Sequence, residues 1–272
     1  MDPSTLTSAR AHLMDEARAL FQSYEAVRAI WVSGSIASGR ADAYSDIDLR
    51  VAVRPEAHAW FVGNRRVFPQ SWSGFAFNEW VPGTQHCVSH FRPFLKIDIF
   101  YFSLETLEPS VWHARPMRIL YDPDDVLRQL AQQSVGLREA PPGDKINRLI
   151  SKGLAAVHEA YRRVQRGDLL YAQSLLDELR HFMMMADDLL HGRTPDADVY
   201  VRFSDRGTPN IVDALQLSYC RCVRGEILKS MHALAMVHRG QIIELHKDFK
   251  PDRSLAIDLE SIDVVTRELP LQ

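Results

Sequence analysis

Apolar positions between residues 5 and 24 recur at three- and four-residue spacing: Leu6, Ala9, Leu13, Ala17 and Leu20, with Met14 and Phe21 widening the stripe. That period predicts an amphipathic helix. The pattern then changes. Residues 27–33 form a short apolar run of the kind a buried strand presents, and residues 46–53 (DIDLRVAV) begin by alternating before turning apolar. Pro55 ends that run and opens a predicted helix over 56–68. Three more strand-like runs follow at 72–80, 85–91 and 94–102, with Pro82-Gly83 as a turn after the first and Arg92-Pro93 interrupting the next two. These signals describe a small mixed sheet with helices packed on it.

Beyond Leu120 the character shifts. Residues 136–144 (GLREAPPGD) carry Pro-Pro-Gly and no period, which marks a linker. After it the signals are helical, over 145–166, 168–191, 210–223 and 224–246, with a weaker one near 255–268. Gly167-Asp168 reads as a helix stop followed by a start, and Gly192 as a helix end. The expected architecture is α+β: a mixed-sheet domain over 1–140 followed by a helical bundle over 141–272.

Composition narrows the function classes. A net charge of -3 gives no support to broad binding of a nucleic-acid backbone. Cys87, Cys220 and Cys222 are odd in number, and their C-x-C spacing suits neither a disulfide framework nor the paired C-x₂-C of structural zinc. The start, MDPSTLTSARAHL, lacks a basic stretch followed by an apolar core, and no apolar run reaches the ~18 residues of a membrane span. The expectation is a cytoplasmic protein with no nucleic-acid and no membrane partner.

The candidate chemistry lies in WVSGSIASGRADAYSDIDL, residues 31–49. Gly34 and Gly39 have the spacing of the P-loop glycines, but Arg40 and Ala41 stand where that motif needs a phosphate-reaching lysine and a Mg²⁺-binding hydroxyl. The carboxylates carry more. Side chains alternate along a strand, so Asp46 and Asp48 share a face while Ile47 and Leu49 anchor the other. Two such carboxylates suit a hard cation such as Mg²⁺ bound with phosphate oxygens. Gly34 lets backbone approach an anion closely, and Ser35 with the following amides suits the phosphate end. Asp98, flanked by Ile97 and Ile99, is a third carboxylate on an apolar strand. Such a charge is costly unless paired or bound to metal. If the two strands are neighbours, three carboxylates converge and could hold two cations for a displacement at phosphorus. Asp98 could alternatively be the base for an attacking hydroxyl. Each also has a plainer reading: a solvated turn capped by Ser45, and a surface aspartate on a half-exposed strand.

Taken together, VSGSIASGRADAYSDIDL resembles the signature of the nucleotidyltransferase superfamily related to DNA polymerase β. Its longer form is similar to the antibiotic nucleotidyltransferases that adenylylate aminoglycosides and lincosamides, in which an α/β catalytic domain precedes a helical bundle and the substrate sits between them. The resemblance implies that Ser35 contacts nucleotide phosphates, Gly34 shapes the turn, and Ser45 also touches phosphate. It implies that Asp46 and Asp48 bind Mg²⁺ and that Asp98 completes the site as ligand, base or both. The expected cofactors are Mg²⁺, as two ions, with ATP as co-substrate. The expected partners are a nucleoside triphosphate and a small-molecule hydroxyl acceptor; association as a homodimer stays open. The reaction implied is transfer of AMP to that hydroxyl with release of pyrophosphate.

The helical half is less specific. Over 168–191 one stripe carries Leu175, Leu179, Phe182, Ala186 and Leu189 or Leu190, and the opposite stripe carries Asp177, His181, Met184 and Asp188. An acidic stripe suits a polycationic substrate; a solvated helix face explains it equally simply. Arg148, Lys152, Tyr161, Tyr171, Tyr219 and Lys229 are chemically suited to adenine or phosphate and are not ranked by the sequence. The rival functions are a protein-modifying adenylyltransferase of toxin–antitoxin type and a nucleotide-binding regulator without catalysis.

Overall fold

Leu6, Leu13, Met14, Ala17 and Phe21 bury one side of the first helix, α1 (Pro3–Gln22), which Asp2 caps by accepting from the Ser4 amide. This is the stripe its period predicts. The computed structural model describes residues 2–79, 83–137, 141, 143–193 and 199–269. Trp80, Pro82 and, within the 136–144 linker, residues 138–140 and 142 lie outside the described residues. The chain divides into two compact units, Met1–Glu139 and Ala140–Gln272.

In the first unit, α1 is followed by β1 (Val27–Val32), the short turn α2 (Gly34–Ala37), β2 (Ile47–Val53) and α3 (Pro55–Asn64). Then come β3 (Phe75–Asn78), β4 (Cys87–Phe91), β5 (Leu95–Ser103), β6 (Arg118–Tyr121) and α4 (Val126–Ser134). The six strands form one mixed sheet in the order β3-β4-β5-β2-β1-β6. Among the described residues only β2 and β5 run parallel, since the chain between them crosses over through α3 and the β3–β4 hairpin. One sheet face packs Ile47, Leu49, Val51, Ile97 and Ile99, all fully buried, against α1 and α3. Phe21, Phe61, Phe68 and Tyr101 add an aromatic cluster there, with ring centroids 5.3–6.4 Å apart. The other face holds a smaller core of Ala29, Trp31, Ala52 and Leu127. Strand β6 and helix α4 escape the periodicity reading. Strand β6 is four residues long with half its positions exposed, too short for alternation to register.

The second unit is helical: α5 (Gly143–Arg166), α6 (Leu169–Leu190), α7 (Phe203–Arg206), α8 (Pro209–Leu217), α9 (Arg224–Phe249) and α10 (Leu255–Arg267). Helices α5, α6 and α9 meet around a buried histidine. Gly153 sits inside α5, where glycine costs about 1 kcal/mol against alanine. Its reason is close approach, because a Cβ there would stand 2.2 Å from His238 Nε2 on α9. His238 is fully buried and faces Gln241 Oε1 at 3.3 Å, while Gln241 donates to the Met183 carbonyl of α6 at 2.8 Å. Burial drives the His238 pKa down to about 4, so the ring is neutral in the folded chain.

Two expectations for this half are corrected. The helix read over 210–223 stops at Leu217, because Ser218 turns inward to take the Arg180 guanidinium on its hydroxyl at 2.8 Å and its carbonyl at 2.6 Å. On α6, Met184 and Asp188 do not belong to a solvated stripe: they are 3% and 1% exposed. No helix among the described residues is long and apolar enough to cross a membrane.

Candidate active site

The end of β1 and the start of β2 are tied together where the chain leaves the sheet. The Ser33 amide donates to the Asp48 carbonyl at 3.1 Å. Gly34 follows with φ +64, a backbone state that favours glycine, and a Cβ there would lie 2.0 Å from Asp48 Oδ2. Glycine is therefore required twice, by conformation and by the carboxylate beneath it. Gly39 also has positive φ, but nothing lies within 4 Å of its absent side chain. It serves the path of the spacer alone, which returns through the Arg40 amide bonded to the Ser35 carbonyl at 2.9 Å.

The spacer is pinned from beneath by a residue that the apolar pattern passed over. Arg10 on α1 is 9% exposed, and its guanidinium donates to the Asp42 carbonyl and, at 3.1 Å, to the Ser45 carbonyl. The Ser45 hydroxyl works within the same turn, accepting from the Asp42 amide at 2.9 Å and donating to Asp42 Oδ1 at 3.2 Å. Asp42 Oδ1 also accepts from the Tyr44 amide at 2.9 Å. This is a locally hydrogen-bonded aspartate turn that delivers Asp46 to the edge of the sheet.

The parallel register then sets the carboxylates. Ile47 pairs with Ile97, Asp48 with Asp98 and Leu49 with Ile99. Because the isoleucines and leucine are fully buried on one face, Asp48 and Asp98 stand opposite each other on the other. Asp46 precedes them at the strand end. Lys96, two residues before Asp98 on the same face, places its ammonium 2.9 Å from Asp46 Oδ2 and 3.2 Å from Asp98 Oδ2. The second oxygen, Asp98 Oδ1, is buried and has no hydrogen-bond partner among the described residues. Arg50, the next position outward from Asp48 on its face, donates to Ser33 Oγ and, at 3.3 Å, to the Asp48 carbonyl. Its guanidinium lies over the Phe100 ring, 4.9 Å from the centroid.

Electrostatics follow from this crowding. Burial pushes the Asp48 carboxyl above its ordinary pKa and the Asp46 charge adds to the push, while Arg50 partly offsets both. Burial likewise raises Asp98, against the pull of Lys96. For Lys96 itself burial works downward, but the hydrogen bond to Asp46 and the attraction of both carboxylates prevail and hold it above its ordinary value. The donor set is hard oxygen throughout, and an unpartnered buried carboxylate oxygen beside a second carboxylate is what a cation such as Mg²⁺ satisfies. Among the described residues, no three of His, Cys, Asp and Glu are grouped so as to hold a metal, and Lys96 is what stands between Asp46 and Asp98.

The structure thus pairs Asp48 with Asp98 beneath Gly34 and links Asp46 to Asp98 through Lys96, with Ser35 half-buried in the turn and Ser45 engaged in the spacer turn. Lys96, Arg50 and Arg10 were not among the residues read from sequence. Alternation alone places Lys96 and Arg50 on the carboxylate face; the parallel register that makes them neighbours is a tertiary fact.

A family model for streptomycin adenylyltransferase matches residues 9–189, which run from α1 through nearly all of α6. No curated protein matches the chain. Among solved structures, a nucleotidyltransferase-like protein from Exiguobacterium sibiricum 255-15 is 14% identical with a TM-score of 0.43, covering 97% of this chain and 91% of that one. An aminoglycoside 6-adenyltransferase from Bacillus subtilis is 13% identical with a TM-score of 0.45, covering 94% of this chain and 96% of that one.

Proposed function

This chain belongs to the streptomycin adenylyltransferase family, and from that premise we propose that it moves AMP from ATP to a hydroxyl of an aminoglycoside. The observation that carries the reading is the pairing of Asp48 with Asp98 across parallel strands, directly beneath a turn whose positive φ and close approach favour glycine. Among the described residues, Asp98 Oδ1 is buried without a partner, a cost that a bound cation or ligand would relieve.

Asp48 and Asp98, with Asp46 beside them, would hold the divalent ion that this chemistry calls for. When bound, such an ion stabilises the charge that builds on the triphosphate as it is displaced. The remaining work falls to the chain itself. The Gly34-Ser35 turn, bare of a Cβ at its tightest point, lets the backbone come close to the triphosphate. The Asp98 carboxylate takes the proton from the acceptor hydroxyl. The acceptor oxygen then bonds to the α-phosphorus, the bond from that phosphorus to the oxygen bridging the β-phosphate breaks, and pyrophosphate leaves with the electron pair. Arg50, braced by Ser33 and Phe100, keeps the turn and β2 in register. Ser45 contributes through the turn that presents Asp46.

The test is pyrophosphate release from ATP and Mg²⁺ with a panel of aminoglycosides, streptomycin first, and lincosamides, followed by mass spectrometry of the drug. A product heavier by one adenylyl group is expected with an aminoglycoside. Absence of turnover across the panel would count against the antibiotic acceptor.

A further inference from the structure

We infer that Glu79 reads a cationic group of the acceptor, so that this site selects substrates carrying an amine or guanidinium beyond the hydroxyl that reacts. The inference rests on the transferase reading above; the residue, and the side of the sheet it gives to the acceptor, go beyond that reading.

The side follows from the strand order. The Gly34 turn connects β1 to β2, Asp98 lies on β5, and β4 and β3 come next. An acceptor oxygen enters in line with the leaving pyrophosphate and opposite to it. With the triphosphate at the turn and the base on β5, the rest of the acceptor lies over β4 and β3. Asp98 pairs with Val88 of β4, and the Glu79 amide, just past the end of β3, donates to the Val88 carbonyl at 2.9 Å. Asp48, Asp98, Val88 and Glu79 therefore form one row on the same face of the sheet. Two strand spacings put the Glu79 backbone about 10 Å from that of Asp98, a gap that a sugar ring with its substituents fills.

The carboxylate is held ready for a ligand. His90 of β4 places Nε2 2.7 Å from Glu79 Oε1, which orients the group, yet the Glu79 side chain stays 45% exposed. In the adjacent row His90 pairs with Phe77, their rings stacked 4.5 Å apart at 13°, and Phe77 remains half exposed. An oriented carboxylate beside an exposed aromatic surface suits a cationic sugar, with charge meeting the nitrogen and the ring meeting the C–H face. Lys96 leaves that charge in place, because its ammonium stands between Asp46 and Asp98 at 2.9 Å and 3.2 Å.

A plain surface ion pair makes a different prediction, because removing it costs little and touches no ligand. The experiment titrates the aminoglycoside panel, streptomycin first, into the full chain with Mg²⁺ and the non-hydrolysable α,β-methylene analogue of ATP, and reads affinity by calorimetry. For the member that the wild type binds most tightly, Glu79→Gln should weaken binding by about tenfold or more, the usual result of losing a hydrogen bond to a charged group. Glu79→Asp should recover part of the loss. Affinity for the ATP analogue and the melting temperature should hold in both variants. Equal aminoglycoside affinity in Glu79→Gln and the wild type would overturn the inference and leave the transferase reading standing. A parallel loss of aminoglycoside and nucleotide would overturn it too, since that marks a structural role. An aminoglycoside bound through Glu79 but never adenylylated would uphold the cation contact and sink the transferase reading. A wild type that binds no member of the panel would overturn both.

Discussion

Asp48 and Asp98 in the sheet unit and Asp187 and Asp188 in the helical unit are all carboxylates withdrawn from water, and they differ in what meets them. At the end of α6, Asp187 and Asp188 are 2% and 1% exposed, the more deeply buried pair. Arg193 reaches Asp187 at 2.5 Å and Asp188 at 2.7 Å, Arg206 reaches Asp188 at 2.9 Å, and the Thr208 amide donates to Asp187 at 3.1 Å. Their lone pairs are taken up by fixed donors, and the network holds Arg193, Arg206 and Thr208 against the end of α6. Asp48 and Asp98 are less buried, yet one Asp98 oxygen is unmatched and both carboxyls are pushed up in pKa, by burial first. Burial alone is therefore a poor marker of function in this chain. Satisfaction separates the two pairs, because a finished network gains nothing from a ligand and an unfinished one does, although Trp72, Tyr101 and Asn147 also bury unmatched polar atoms among the described residues.

The sharpest break of that comparison is Asp48→Asn, which keeps the shape and removes a charge. Turnover should fall by more than about a thousandfold, the size of losing several kcal/mol of charge stabilisation in the transition state. The melting temperature should hold or rise, since a repelled carboxylate has gone. A variant with near-normal turnover would remove Asp48 from the site. The mirror experiment is Asp188→Ala. It should cost about 3 kcal/mol in urea unfolding by stranding Arg193 and Arg206, a loss typical of breaking a buried pair from one side. If Asp188→Ala were stable and Asp48→Asn unfolded, the assignment of the two pairs would be reversed.

Much of this contrast was written in the local pattern of the sheet and little of it in the bundle. On β2 and β5 the alternation of aspartate with fully buried isoleucine and leucine decides the face, so Asp46, Asp48 and Asp98 could be assigned to the side away from the core. Gly34 was legible because a strand that ends in Gly-Ser needs a turn. Arg10 was not, since it lies among the buried residues of α1 and its carbonyl partners come 32 and 35 residues later. Asp188 failed for the same reason. Helical periodicity put it on a polar stripe, and only the return of Arg193 and Arg206 from beyond the helix makes it an interior residue. Local pattern reports the face a side chain takes. It does not report which charge arrives there from elsewhere.

Unmet polarity also lies in the bundle and tests whether the helical unit is settled throughout. His238 Nε2 is buried without a partner among the described residues, and the ring is held neutral with its pKa at about 4. In the unfolded chain the same group takes up a proton near pH 6.5. The unfolded state thus binds more protons between those values, and stability falls as pH drops through that window. At pH 5 the loss from this residue should be about 2 kcal/mol relative to neutral pH. Urea denaturation at several pH values measures it, and His238→Gln should flatten the acid limb whatever its stability at pH 7. An unchanged limb in that variant would mean His238 is solvated in the folded chain.

The smallest effect separates the two roles open to Ser45. If its hydroxyl belongs to the turn, as its bonds to Asp42 indicate, Ser45→Ala removes hydrogen bonds that are exposed to solvent. Stability should then drop by about 0.5–1 kcal/mol, the ordinary worth of such bonds. The KM for ATP should stay within about twofold, since a group that never meets the nucleotide takes no binding energy with it. A tenfold rise in that KM, with the melting temperature unchanged, would instead put the hydroxyl on a phosphate. In that event the Asp42 turn would be a resting arrangement that opens on nucleotide binding, and Ser45 would join Asp98 as a group whose partner comes from outside the chain.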